Sequence, residues 1–171
     1  MVIMVMGLPG SGKSFFASRL AGLLHADYIS SDKIRKDMIS QRTYSIEEKE
    51  WVYDEMLKHM EVAVHEKKTV VLDATFFTCR LREKFSAKAS PVDTLALIEV
   101  KASEATIKNR LTHRRKFSEA DFEVYQQIKS EWEPIREKHL TLESTQNNLH
   151  MLLQKAIRYL HMVKHENRTD Q

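Results

Sequence analysis

Residues 7–14 read Gly-Leu-Pro-Gly-Ser-Gly-Lys-Ser, directly after the apolar run Val2-Ile3-Met4-Val5-Met6 and directly before an amphipathic stretch. The Gly-x4-Gly-Lys-Ser spacing calls for a buried strand that ends in a tight turn. That turn must bring successive backbone N–H groups onto one anion, with the N-terminus of a helix pointing at the same place. Glycine usage sharpens the constraint. The 171 residues contain only four glycines; Gly7, Gly10 and Gly12 share one six-residue stretch, and the fourth is Gly22. A chain this sparing of glycine concentrates it where the backbone turns sharply or comes close to a ligand. A glycine-rich turn with no ligand is the plainer reading, and the strand and helix on either side weigh against it.

The remaining periodicities place the other elements around this turn. A helix is predicted from about Lys13 to Leu24, with Phe16, Leu20 and Leu23 on its inner face. Asp27 to Ser30 is short enough for a second strand, and a further helix starts near Ser31. Ser45-Ile46-Glu47-Glu48 is a capping box that opens a long helix carrying Val52, Met56, Met60 and Val64 on one side. Thr69 to Leu72 reads as a buried strand ending at Asp73, and Leu95 to Val100 as another, after which Ser103 can cap a helix. Ser118 to Asp121 marks a helix start, with Phe122, Tyr125 and Ile128 facing inward. Leu140 to Leu142 is the last strand. The final helix carries Leu149, Leu152, Leu153, Ala156, Ile157 and Leu160 on one stripe. Strands alternating with helices predict an α/β fold with a parallel sheet flanked by helices. No repeat, low-complexity segment or linker interrupts the pattern, so a single domain over residues 1–171 is expected. Trp51 and Trp132 read as packing residues.

Composition adds limits. Lys plus Arg number 27 against 24 Asp plus Glu, a formal charge of +3 that permits an anionic partner without demanding one. The one cysteine, Cys79, cannot form an internal disulfide, which suits a reducing compartment. No apolar run approaches a membrane span, and the opening apolar run lacks a basic leader. A cytoplasmic protein is the expectation.

The chemistry implied by residues 7–14 is the binding of ATP with Mg²⁺. Gly7, Gly10 and Gly12 let N–H groups converge on the β- and γ-phosphates, Lys13 sets a full charge between them, and the Ser14 hydroxyl can ligate the metal. Pro9, Ser11 and Phe15 complete the expected nucleotide-binding set. Because no glycine follows residue 22, the Asp-x-x-Gly switch of GTPases and the glycine-rich ABC signature are both excluded. Protein kinases need an Asp-Phe-Gly motif and are excluded as well. A small kinase or a bare nucleotide-binding domain remains. Ser30-Ser31-Asp32-Lys33-Ile34-Arg35 then follows the second strand, at the end of the sheet that faces the ligand crevice. Asp32 there could take a proton from a hydroxyl acceptor, and Arg35 could steady the acceptor or the moving phosphoryl group. A helix-capping aspartate beside a solvated arginine is the open alternative.

In these residues the chain resembles the polynucleotide-kinase-type branch of P-loop kinases, a group that is similar to zeta-toxin and small-metabolite kinases. The matching pieces are residues 7–14, then Ser31-Asp32-Lys33-Ile34-Arg35, then Val70-Val71-Leu72-Asp73-Ala74-Thr75, then the arginine-bearing segment Arg110 to Arg115 followed by a helix toward Glu133-Pro134. They occur in family order and cover most of residues 1–135. The resemblance implies Asp32 as general base and Arg35 as its phosphate or acceptor partner. It also implies Asp73 on the metal side beside Ser14, and Thr75 on the acceptor side. Phe76 stands where the family commonly has Asn, a departure that bears on a polynucleotide acceptor.

The resemblance further implies a lid at about 110–118. Arg110 would lie against the adenine, and Arg114 and Arg115 would approach the phosphates, Arg114 as a catalytic group. A solvated basic helix end remains the alternative there. Arg80, Arg82, Lys84 and Lys88 form a basic run that reads as a solvated helix surface, or as attraction for an acceptor's backbone. His161 and His165 are four apart but lack a His-Glu-x-x-His context, and read as a solvated helix face. Taken together, the expectation is an ATP-dependent phosphotransferase acting on a hydroxyl acceptor, with a nucleic acid 5′ end as the leading candidate and no membrane partner. A small-metabolite kinase of the same fold is the first rival. A non-catalytic ATP-binding regulatory module is the second, against which Asp32 argues.

Overall fold

A computed structural model of the chain describes residues 1–39, 45–90, 93–112 and 121–169, with side chains as far as Glu166. Five strands form one sheet: β1 (Val2–Met6), β2 (Asp27–Ser30), β3 (Val70–Asp73), β4 (Leu95–Lys101) and β5 (Leu140–Glu143). All pairings are parallel and the strand order is β2-β3-β1-β4-β5. A parallel sheet is covered on both faces, which is why β1 and β3 are buried along their whole length and read as unbroken apolar runs.

The helices are α1 (Lys13–Leu24), α2 (Ser31–Met38), α3 (Ile46–His65), α4 (Cys79–Ala89), α5 (Glu104–Leu111), α6 (Phe122–Ser130) and α7 (Leu149–Thr169). On one face of the sheet, Phe16, Ala17 and Leu20 of α1 pack with Leu152, Ala156 and Leu160 of α7 over Ile3, Val5, Val71 and Ile98. On the other, Val52, Tyr53, Met56 and Met60 of α3 and Phe85 of α4 cover Met4, Met6, Leu72 and Leu97. Side chains close the N-termini of four helices: Ser45, Thr78, Ser103 and Asp121 each accept a backbone N–H at the start of α3, α4, α5 and α6.

Three expectations change. Leu23 does not face inward on α1; it is 55% exposed, and in the last turn Ala21 and Leu24 take the inward places along the side that meets α7. Trp51 packs over only part of its surface and stays 38% exposed. The basic run after β3 is not a uniform solvated surface. Arg82 is fully buried, and donates from Nη1 to Phe76 O at 3.0 Å and from Nη2 to Pro134 O at 2.9 Å. Lys84 pairs with Asp54, and Lys88 with Glu61 at 3.3 Å.

Candidate active site

Every strand runs the same way, so the carboxyl ends of β1, β2 and β3 open onto one crevice. The 7–14 loop leaves β1 there and enters α1. At Gly7 the backbone is at φ 151, and a β-carbon would lie 2.3 Å from the Val100 carbonyl oxygen, so no side chain fits. At Gly12, the residue before α1, φ is 94 and a β-carbon would meet Ser144 Oγ at 2.8 Å. Among the described residues no side chain caps the N-terminus of α1, whose N-cap is Gly12. Its first N–H groups therefore point into the crevice with the positive end of the helix dipole behind them, an arrangement suited to an anion.

Around this cradle the predicted nucleotide residues gather. Pro9, Gly10 and Ser11 are buried, and the Ser11 hydroxyl has no hydrogen-bond partner among the described residues. Lys13 is buried at the start of α1, close enough to Asp73 for its charge to act on that carboxylate. Phe15 is 57% exposed, with the Arg19 guanidinium over its ring. Beside it lies a pocket of about 540 Å³, lined by Gly12, Ser14, Phe15, Arg110, Asn148 and Leu149 among others. Arg110 reaches this wall from the end of α5. It donates to Ser11 O at 2.9 Å, Ser144 Oγ at 3.1 Å and Thr145 O at 3.2 Å, tying the loop to the start of the β5–α7 connection. Arg114 and Arg115, like most of the expected 110–118 lid, lie outside the described residues.

Asp73 ends β3 and is 1% exposed. Its Oδ2 accepts the Tyr28 hydroxyl at 2.6 Å, while its buried Oδ1 has no partner among the described residues. Burial pushes its carboxyl above the ordinary carboxylate range, opposed by the Lys13 charge and by the Tyr28 and Ser14 hydroxyls. An inaccessible carboxylate oxygen left without a donor next to a serine hydroxyl suits a hard cation such as Mg²⁺, which takes oxygen ligands and leaves the rest of its shell to phosphates and water. Ser14 and Asp73 are thus the residues that would hold one. His161 and His165 belong to no cluster of three or more potential ligands among the described residues.

Asp32 and Arg35 lie on α2, which follows the carboxyl end of β2, two strands from β1 in the sheet. Asp32 carries enough charge into the crevice to act on both Asp73 and Tyr28. Arg35 is buried; its Nη1 lies 3.4 Å from Asp32 Oδ1 and its Nε donates to Glu48 Oε1 at 2.9 Å. The Glu48 side chain is only 7% exposed, so α3 holds the arginine from behind. Glu48 reads from sequence as part of a capping box, and its backbone N–H does bond Ser45 Oγ at 3.2 Å; nothing in a local pattern reveals the long-range pairing of its carboxylate. Thr75 is partly buried and its carbonyl accepts the Gly7 N–H at 3.4 Å, joining β3's exit to the loop. Phe76 does not enter the crevice. It is fully buried against Tyr53 and Phe85, with ring centroids 5.7 and 5.1 Å away. Tyr28 has no sequence signal beyond its place in a short strand.

A glycine-and-lysine phosphate loop between β1 and α1, under a five-stranded parallel sheet with an acidic β3 terminus, defines a P-loop fold of the kinase-like kind. The chain belongs to the AAA domain family, whose model matches residues 2–135. Solved structures agree on the fold. A gluconokinase from Sinorhizobium meliloti 1021 superposes with a TM-score of 0.77 at 18% identity, over 99% of this chain and 97% of that one. The APS kinase CysC of Mycobacterium tuberculosis, determined with AMPPNP and APS, gives 0.66 at 16% identity over 94% and 96%. Kti12 of Chaetomium thermophilum, in complex with ADP-AlF3, gives 0.64 at 18% identity over 93% and 98%. Among curated proteins no sequence match is found. The narrower likeness to polynucleotide kinases and zeta-toxin finds no counterpart in these relatives.

Proposed function

We propose that the protein is an ATP-dependent phosphotransferase whose acceptor is the hydroxyl group of a small metabolite. The observation that carries this reading is Asp32, a carboxylate in the first turn of α2, just past the carboxyl end of β2 and near enough to Asp73 for its charge to act there. A module that only binds nucleotide has no use for a base in that position.

In this reading the α1 N–H groups and Lys13 hold the β- and γ-phosphates, and Phe15 and Arg110 border the pocket for the base and sugar. Bound Mg²⁺, held by Ser14 and Asp73, would neutralise phosphate charge. Asp32 accepts the proton of the acceptor hydroxyl as its oxygen bonds the γ-phosphorus and the bond to the β-phosphate oxygen breaks, releasing ADP. Arg35, fixed by Glu48, steadies the group in transit, Thr75 borders the acceptor side, and Arg114 and Arg115 are proposed to approach the phosphates from the lid.

The small acceptor is favoured over a nucleic acid 5′ end because three of the four basic residues after β3 that could attract a polynucleotide are engaged elsewhere. Arg82 is buried and Lys84 and Lys88 are ion-paired, while Arg80 stays exposed. The gluconokinase and APS kinase among the structural relatives fit the same choice. Transfer of label from γ-labelled ATP to a panel of sugars, sugar acids, polyols, nucleosides and 5′-OH oligonucleotides tests it. Labelling of a small acceptor, with rates nearly flat in salt, is expected. Labelling confined to oligonucleotides and falling steeply as salt rises would return the acceptor to nucleic acid.

A further inference from the structure

We infer that Tyr28 is a positioning residue for the metal side of the site: its hydroxyl holds one oxygen of Asp73 so that the other is presented, desolvated, toward the cation. The inference rests on the kinase reading, but it concerns a residue that neither the motif nor the fold singles out.

The placement follows from strand register. Tyr28 pairs with Val71 across β2 and β3, and Ser30 pairs with Asp73. Tyr28 and Asp73 are therefore diagonal neighbours, and because side chains alternate along a strand, Asp73 shares the face of Val71, the face on which α1 lies. A tyrosine is long enough to cross that diagonal, and the 2.6 Å contact shows that it does. On the α1 side stand Lys13 and Ser14. The Asp73 carboxylate is thereby held from β2 on one side and faced by the phosphate-binding loop on the other.

The two oxygens are then unequal. Oδ2 is occupied by Tyr28, whereas Oδ1 is buried with no hydrogen-bond partner among the described residues. A buried acceptor left unsatisfied is costly, and one that awaits a cation or its bound water has a physical reason to stay so. Without the Tyr28 hydroxyl the carboxylate could rotate, and either oxygen could turn toward Lys13 or Ser14. Partners that orient a metal-binding group in this way typically alter metal affinity about 10- to 100-fold when removed.

Tyr28→Phe removes one oxygen and keeps the ring. Binding of AMPPNP should be measured by calorimetry for wild type and variant, with Mg²⁺ and with EDTA. The expected result is an EDTA affinity within about twofold of wild type and a loss of about 10-fold or more in the gain that Mg²⁺ confers. The same substitution made on Asp73→Asn should have no further effect on that gain, because the two residues act as one unit. An unchanged Mg²⁺ gain in Tyr28→Phe, or equal losses with and without Mg²⁺, would overturn the assignment and leave the kinase reading standing. Wild-type protein that binds AMPPNP in neither condition would overturn both. Should Tyr28→Phe fold poorly, Tyr28→Trp supplies the second variant: its indole can donate only from a different position, and a wild-type Mg²⁺ gain in it contradicts the role.

Discussion

Phe76 sits at φ 50, a backbone region that asparagine tolerates far better than a bulky aromatic. An Asn at this position, which the resemblance to polynucleotide-kinase-type kinases implies, would suit the local conformation, and Phe76 needs a compensating force. That force is the ring cluster with Tyr53 and Phe85. Relief of left-handed strain is worth about 1–2 kcal/mol, while emptying a buried phenyl site costs about 3–5 kcal/mol. Phe76→Asn is therefore expected to lower stability by a few kcal/mol, seen as a reduced urea midpoint. A similar balance governs Arg82. Arg82→Met keeps apolar volume but strips donors from the Phe76 and Pro134 carbonyls. About 1–3 kcal/mol is expected for each carbonyl left without a partner, with the loss read from the same denaturation curve. A stability unchanged in Arg82→Met would mean that the buried guanidinium does not hold the 131–136 segment against the β3–α4 turn.

At the scale of the element, α1 carries two glycine-dependent regions with opposite demands. Gly12, just before it, sits at φ 94 with Ser144 Oγ 2.8 Å from where a β-carbon would be, so a side chain there is strained, whereas Gly22, near the C-terminal end, has nothing within 4 Å of that point. Gly22→Ala should accordingly stabilise the helix by about 0.5–1 kcal/mol, raising the melting temperature without altering nucleotide affinity. The contrast also shows what the sequence reveals about elements and what it hides. The strands, the long helices and the caps Ser45 and Ser103 were legible because period, β-branching and cap chemistry are local properties. Leu23 and Arg82 were misread because both lie on helices whose buried face is chosen by a distant partner, α7 for one and the Pro134 segment for the other. The 118–121 start resolves into a helix capped by Asp121, whose side chain accepts the Val124 N–H at 2.9 Å; residues 118–120 lie outside the described part of the chain.

Across the whole molecule, one topological fact assembles the site. The order β2-β3-β1-β4-β5 puts β1 between β3 and β4, so the loop after β1 meets the ends of strands that are remote in sequence. The phosphate loop could be read from eight consecutive residues. The Asp73–Tyr28 and Arg35–Glu48 pairs could not, since each joins separate elements across the fold and neither leaves a spacing signature. Both converge on the claim that this crevice transfers a phosphoryl group as well as binding one. The most direct test is label transfer from γ-labelled ATP to the acceptor panel by wild type and by Asp32→Asn, alongside the Mg·ATP affinity of each. Wild type is expected to label an acceptor, and the variant to bind ATP within a few-fold of wild type yet transfer about 10²–10⁴ more slowly, as for a lost general base. Undiminished transfer by Asp32→Asn, or ATP binding by wild type with no label reaching any acceptor, would contradict that claim.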